Sequence, residues 1–406
     1  MENTFDKIHP SLSGRIEIAD ILRGFAVVGI LLVHFISHFN LHYTPIEFSQ
    51  GMLVSNYLIK TIVYSLFKDN SYAIFALLFG FSFWIQYENC RAKGIDFRLR
   101  YLWRLVLLFV IGNINALFFT GDILVLYATV GIILPCVVRL PVKYILLIAV
   151  FLMCQPWELG KIVYGYAEGI TKIQGSVSNQ YFREAFKVLA GNSFWETAKM
   201  NLYTGQLASF TWSWEHGRFF QTASLFLFGL LAGRLRLFPN TPRNIDFWMY
   251  AGMLSLLLFT FLDWGMNRLA GHIHNPYILS SVKSIGHSWI ASLQMTALVA
   301  VLILLYYKIR LFRFLHRLAP YGRTSLTNYV SQSVIGSFLF YGWGLGLYWK
   351  WGTTACFIAG IIVFVLQYLF SVWWLRRHRQ GIFEYGWKKL TWIGFPHGKP
   401  ETHRSL

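Results

Sequence analysis

Four ionisable residues stand inside one apolar run. In ADILRGFAVVGILLVHFISH, residues 19–38, Asp20, Arg23, His34 and His38 interrupt a helix otherwise dominated by Val, Ile, Leu, Phe, Ala and Gly. At 100° per residue they share one helix face with Val27 and Leu31. Arg23 and His34 are eleven residues apart, three turns, so they differ by about 20° in direction and roughly 16 Å in height. Histidine suits proton transfer because its ordinary pKa lies close to neutrality. Arginine keeps its charge and grips phosphate or carboxylate through two parallel hydrogen bonds. Such a pair can hold a phosphate-bearing donor near one membrane face and deprotonate an acceptor deeper in. A charge at mid-membrane costs roughly 2.5–3.5 kcal/mol on insertion scales, so these residues are expected to face a protein interior or a watery cavity. Structural alternatives remain at both positions: an arginine that snorkels to the inner surface, and a histidine bonded within the bundle.

Further polar groups extend this set. Asp122, in GDILVLY, opens an apolar segment and either orients a histidine or caps the helix start. Arg104 follows Arg98 and Arg100 into another segment, where it contacts an anionic group or snorkels. Glu215, His216 and Arg218 crowd one segment's outer mouth beside Trp212 and Trp214. A belt of interfacial aromatics accounts for the tryptophans but not for the three charges. His272, His274 and His287 invite a metal reading that no ligand spacing supports, so no metal is assigned. RTSLTNYVSQS opens a late segment with hydroxyls and amides suited to bridging helices.

These residues need a membrane scaffold to hold them. Apolar residues make up 55% of the chain and charged residues only 13%, against about 25% charged in soluble domains. The net charge of +18 is spread over short loops rather than one surface, which points to topology and anionic lipid and away from nucleic acid. The four cysteines show no paired spacing. Segments of spanning length fall at about 19–39, 71–89, 101–118, 122–138, 142–157, 217–235, 247–265, 284–307, 324–345 and 352–374. The expectation is therefore an all-α polytopic membrane protein of about ten transmembrane helices. Residues 54–67, broken by Lys60, suit an interfacial helix. The first apolar stretch lacks a small-residue cleavage pattern and is expected to stay as an anchor. Twenty-three of the 36 Lys and Arg residues fall on one side of this topology, which places both termini in the cytoplasm. Residues 158–216 form the one long non-spanning stretch, amphipathic in YFREAFKVLAGNSFWETAKM, and are expected to face outward.

LRGFAVVGILLVH, YAIFALLFGFSF at 72–83, RYLWRLVLLFVIGNINALFFTGDILVLYATVG, LFLFGLLAGR at 225–234, LAPYGRTSLTNYVSQSVIGSFLFYGWGLGLY and GIFEYGWKKLT resemble the YeiB-like membrane proteins that carry domain of unknown function 418. That family often carries Asn at the position of His34 and His at the position of Asn115. The first third is also remotely similar to the transmembrane acyltransferases that O-acylate surface glycans or N-acetylate heparan sulfate. In that group an Arg and a His eleven positions apart mark the first helix, as Arg23 and His34 do here. FALLFGFSF and the cluster Arg98, Arg100 and Arg104 follow in the same order.

The resemblance implies one integral membrane domain over 1–406, with acyltransferase-like helices in 1–157, the outward loop in 158–216 and YeiB-like helices in 217–406. It implies an acyltransferase that moves an acyl group, acetyl foremost, from cytoplasmic acyl-coenzyme A to a glycan, lipid or small acceptor across a bacterial inner membrane. His34, Arg23 and Asp122 are the expected catalytic set; Asp20, His38, Arg104, Glu215 and Arg218 are expected to bind substrates. A transporter or exporter needs the same buried charges. A scaffold that uses them to join helices is the third reading.

Overall fold

The computed structural model describes residues 16–41, 43, 49–171 and 175–393, without the side chains of 310–313. Lys7, Arg15, Lys399 and Arg404, which count toward the cytoplasmic set, lie outside the described residues, as do both chain ends.

Among the described residues every regular element is helical. The organising element is α1, Glu17–Val33, which runs on into a π-helical turn at His34–His38. Two thirds of its apolar stretch is buried, against 17% for the helix at Pro242–His272, so α1 is the central post of the bundle. Close approach explains its glycines. A Cβ on Gly24 would run into the backbone of Leu318, and one on Gly322 into the Asp20 carbonyl, so α1 and the short α15 (Ala319–Arg323) touch backbone to backbone. The same device joins α3 (Asn70–Arg91) to α12 (Arg218–Arg234), where Gly80 abuts the Phe226 carbonyl and Gly229 the Leu77 carbonyl.

Among the described residues five helices are long and apolar enough to span: α1 with its π turn, α4 (Arg98–Ala116), α13 (Pro242–His272), α14 (Pro276–Lys308) and α17 (Thr353–Leu375). The pair α7 (Val142–Met153) and α8 (Pro156–Ala167), bent by 49° at Pro156, counts as a sixth if it is one span. The other segments read as spans are helical but shorter or more polar. Residues 122–138 split into α5 (Leu124–Val130) and α6 (Ile133–Val137). The 17 residues of α12 and 16 of α16 (Ser325–Phe340) rise only about 24–26 Å, short of the ~30 Å hydrocarbon layer. They are core helices, buried by their neighbours. The segment 54–67, read as interfacial, lies within the helix α2 (Gln50–Phe67), in which Val63 alone is buried.

The long loop folds into α9 (Val177–Leu189), α10 (Phe194–Met200), a second π turn at Asn201–Gly205 and α11 (Gln206–Glu215). Glu215 holds it together. Its carboxylate accepts from the hydroxyls of Ser176 and Ser178 and from the amides of Val177 and Ser178, the opening turn of α9. Burial opposes the charge, yet these four donors outweigh it and hold the Glu215 carboxyl below its usual range. A carboxylate with a lowered folded pKa stabilises the fold above its unfolded pKa, and that contribution is lost as pH falls through the folded value. Amides of Val177–Leu189 should therefore exchange hydrogen faster at pH 3 than at pH 6 after correction for intrinsic rates. Glu215→Gln should remove that pH difference.

The last helix, α18 (Ile382–Thr391), pins the basic end. Glu384 accepts from the amides of Leu326 and Thr327 and from the Thr327 hydroxyl, so it satisfies orphan donors at the start of α16. The EYGW and SLTNY pieces of the chain are thus two halves of one cap. Asn328 then donates to the Tyr321 carbonyl and Ser371, and Gln367 to the Asn328 carbonyl, which ties α15, α16 and α17 together. Glu384→Ala should cost about 0.5–2 kcal/mol, the usual loss for a helix cap, read as a lower unfolding midpoint in detergent.

Candidate functional site

The π turn re-aims α1 where it matters. Within this turn His34 and His38 stay on the same side, with ring centroids 5.2 Å apart. His34 is half-buried, 4.5 Å from the ring of Phe119 and 6.3 Å from that of Tyr329. Its Nδ1 is buried without a hydrogen-bond partner among the described residues. Tyr329 leads onward: it hydrogen-bonds Asp122, and its hydroxyl accepts from the Ile123 amide at 3.3 Å.

Asp122 is 3% exposed and held from several directions. Asn115 donates to Oδ1 at 2.8 Å and the Val125 amide to Oδ2 at 3.2 Å. The carboxylate therefore caps α5 and faces the tyrosine that faces His34. The capping reading of Asp122 fits this geometry, and on the side of His34 its partner is Tyr329. Asn115, where the resembling family often carries His, holds the same carboxylate that Tyr329 hydrogen-bonds.

The seam continues across the bundle. Tyr127 donates to the Tyr72 carbonyl at 3.1 Å and interacts electrostatically with both Tyr329 and Arg218. Arg218 is buried and paired with Asp69; it also donates to Gln221 at 2.9 Å and lies over the rings of Tyr72 and Trp212. Tyr72 bonds Thr222, and His287 Nε2 stands 3.4 Å from Asp69. Asp69 adopts φ +62°, a strained backbone for a residue with a Cβ, and it does so at the turn between α2 and α3. Gln332 is fully buried with neither amide atom bonded among the described residues, on the α16 face between Tyr329 and Gly336.

Structure thus brings His34, His38 and Asp122 together and joins Arg218 to them through tyrosines. It separates the others. Arg23 donates to Asp20 at 2.7 Å and to Ser82 of α3 at 2.6 Å, three turns nearer the basic end. Between the two levels Val27 and Leu31 are fully buried, so Arg23 and His34 share a face but not a cavity. Arg104 lies with its guanidinium 3.6 Å from the ring centroid of Trp387, whose indole donates to the Arg104 carbonyl. Glu215 is engaged by α9. Among the described residues no group of three or more His, Cys, Asp or Glu could hold a metal ion.

Asp69, Tyr72 and Tyr127 escaped the sequence reading, while Tyr329 and Gln332 lie in RTSLTNYVSQS, which was read only as bridging neighbouring helices. One signal was available: Tyr329 and Gln332 stand at i and i+3 in TNYVSQS, on a single face.

Comparisons with known proteins show what the chain is similar to. Residues 232–394, from the end of α12 through α18, match the family model described as protein of unknown function (DUF418). The chain is 27% identical to the uncharacterized protein YxaH of Bacillus subtilis (strain 168), over 96% of this chain and 97% of that one. It is 25% identical to an uncharacterized 39.9 kDa protein in the amylase 3' region of Bacillus acidopullulyticus, over 94% and 95%. Against the uncharacterized protein YeiB of Escherichia coli (strain K12) the identity is 27%, over 92% and 95%. No solved structure matches. The matched segment holds Tyr329, Gln332 and the Glu384 cap, and over more than nine tenths of its length the chain is similar to the uncharacterized YxaH and YeiB proteins.

Proposed function

We propose that the protein is a membrane-embedded acyltransferase of a bacterial inner membrane, taking an acyl group from acyl-coenzyme A to a hydroxyl or amine of a glycan, lipid or small acceptor. One observation carries the reading. His34 holds a buried Nδ1 with no hydrogen-bond partner among the described residues, and its ring centroid lies 6.3 Å from that of Tyr329, which hydrogen-bonds Asp122. A neutral imidazole there can take the acceptor's proton as its oxygen or nitrogen attacks the thioester carbonyl. The new C–O or C–N bond forms, the C–S bond breaks, and the proton passes from His34 to the departing thiolate. Tyr329 and Asp122 position and polarise; they are positioning residues rather than reacting ones. Arg23 stands roughly 16 Å below His34, about the reach of an extended pantetheine arm, and suits the donor's phosphates. In this reading donor binding parts α1 from its neighbours at Val27 and Leu31.

That same closed stretch favours a second reading. Two polar clusters at different depths, separated by fully buried Val27 and Leu31, suit a transporter whose path opens alternately to the two sides. One experiment divides them. Purified full-length protein in lipid nanodiscs is given acetyl-coenzyme A labelled in the acetyl group, with a lipid and glycan extract. Acyl transfer releases free thiol and moves label into the extract. Solute accumulation in proteoliposomes, without thiol release, moves the assignment to transport.

A further inference from the structure

A second concave site lies at the basic end, far from His34. The C-terminal turn of α3, the loop after it, the turn at 138–139 and the C-terminal turn of α12 enclose a cavity of about 510 Å³. Arg91, Arg139 and Arg234 line it from three separate stretches of chain, together with the aromatic residues Trp84 and Tyr87. The acid among the lining residues is Asp96, already engaged by Arg98 at 2.8 Å and Arg139 at 3.2 Å. Arg234 is held in place without a carboxylate: it donates to the Leu140 carbonyl at 2.6 Å and lies over Trp84. Arg91 reaches Glu88 only at 3.8 Å. Three arginines thus line the cavity against one aspartate, so positive charge exceeds negative in its lining. A general bias of basic residues toward the cytoplasm accounts for arginines in these loops, but not for their convergence on one cavity.

We infer that this cavity binds a phosphate-bearing ligand. Guanidinium groups pair with phosphate oxygens two at a time, and the aromatic residues offer the rest of the ligand an apolar wall. The volume lies within the range of small-molecule sites. Depth separates it from the His34 site. Tyr87 is sixteen residues from Ser71 along α3, about 24 Å, and Ser71 abuts Gly29, itself five residues short of His34. A donor whose phosphates sat here could not reach His34 with its thioester, so the ligand is an additional one. A soluble phosphate compound of the cytoplasm and a phospholipid headgroup both offer the required chemistry.

The test uses the full chain in nanodiscs of phosphatidylcholine alone, titrated with pyrophosphate in a calorimeter. Saturable binding is expected, weakened by about tenfold or more in Arg139→Gln and Arg234→Gln and unchanged in Lys283→Gln on α14. In a second arm, native mass spectrometry follows retention of phosphatidylglycerol by detergent-purified protein. Retention lost in the same variants, with no pyrophosphate binding, assigns the phosphate to a lipid. Arg91→Gln keeps the test open should Arg234→Gln fail to fold, because its side chain is 68% exposed. Pyrophosphate and lipid binding that both ignore all three substitutions would overturn the proposal.

Discussion

Replacing His34 with alanine is expected to lower acyl transfer by about 10²- to 10⁴-fold, the usual contribution of a positioned general base, and to leave the protein folded. The fold survives because the contacts of His34 are mainly ring contacts with Phe119, His38, Phe39 and Tyr329, and its Nδ1 bonds no partner among the described residues. Removing it strands no buried donor or acceptor, which is the costly event in a protein interior. The variant should elute as the wild type does in size exclusion and keep its near-ultraviolet circular dichroism. Initial rates of thiol release then isolate the chemical role. Tyr329→Phe should act more mildly and shift the pH dependence of the rate, because it removes the hydroxyl between His34 and Asp122. A folded His34→Ala protein with wild-type rates would sink the acyltransfer mechanism, and a phenotypically silent one would favour a scaffold.

Asp69→Asn should destabilise the fold by about 3–5 kcal/mol, the cost of leaving one member of a buried ion pair without its counter-charge. The substitution is close to isosteric, and Asn tolerates positive φ at least as well as Asp, so the backbone at +62° gives no separate reason for loss. What changes is charge. Arg218 keeps Gln221 and the faces of Tyr72 and Trp212, but it loses its carboxylate while His287 remains beside the same position. Thermal unfolding in detergent measures the effect. The double variant Asp69→Asn/Arg218→Gln should recover part of it, since the stranded cation is then gone. A single variant as stable as the wild type would show that the rings and Gln221 suffice to hold Arg218.

How the chain divides between sequence and tertiary structure follows from the range of the forces involved. Membrane character, helical class and the positions of the apolar segments were readable from composition and periodicity, because lipid demands internally satisfied backbones and long apolar runs. The face shared by Asp20, Arg23, His34 and His38 was also readable, since helix geometry alone sets it. Whether a segment of about 17 residues spans the bilayer or sits inside the bundle was not. α12 and α16 are as apolar as spanning helices because the neighbours that bury them are protein. The same limit applied to individual side chains. Glu215, read as a substrate ligand, ends as the anchor of α9, and Arg104 is covered by Trp387 from the far end of the chain. Glu384 caps a helix almost sixty residues away. The sequence by itself determined that charges lie in the membrane and on which face of α1 they lie. Only tertiary structure decided which of them meet, because Tyr329, Tyr127 and Tyr72 connect them across four helices that local periodicity cannot relate. It also decided that Arg23 and His34 stand apart, since Val27 and Leu31 between them are closed off by neighbouring helices rather than by α1 itself.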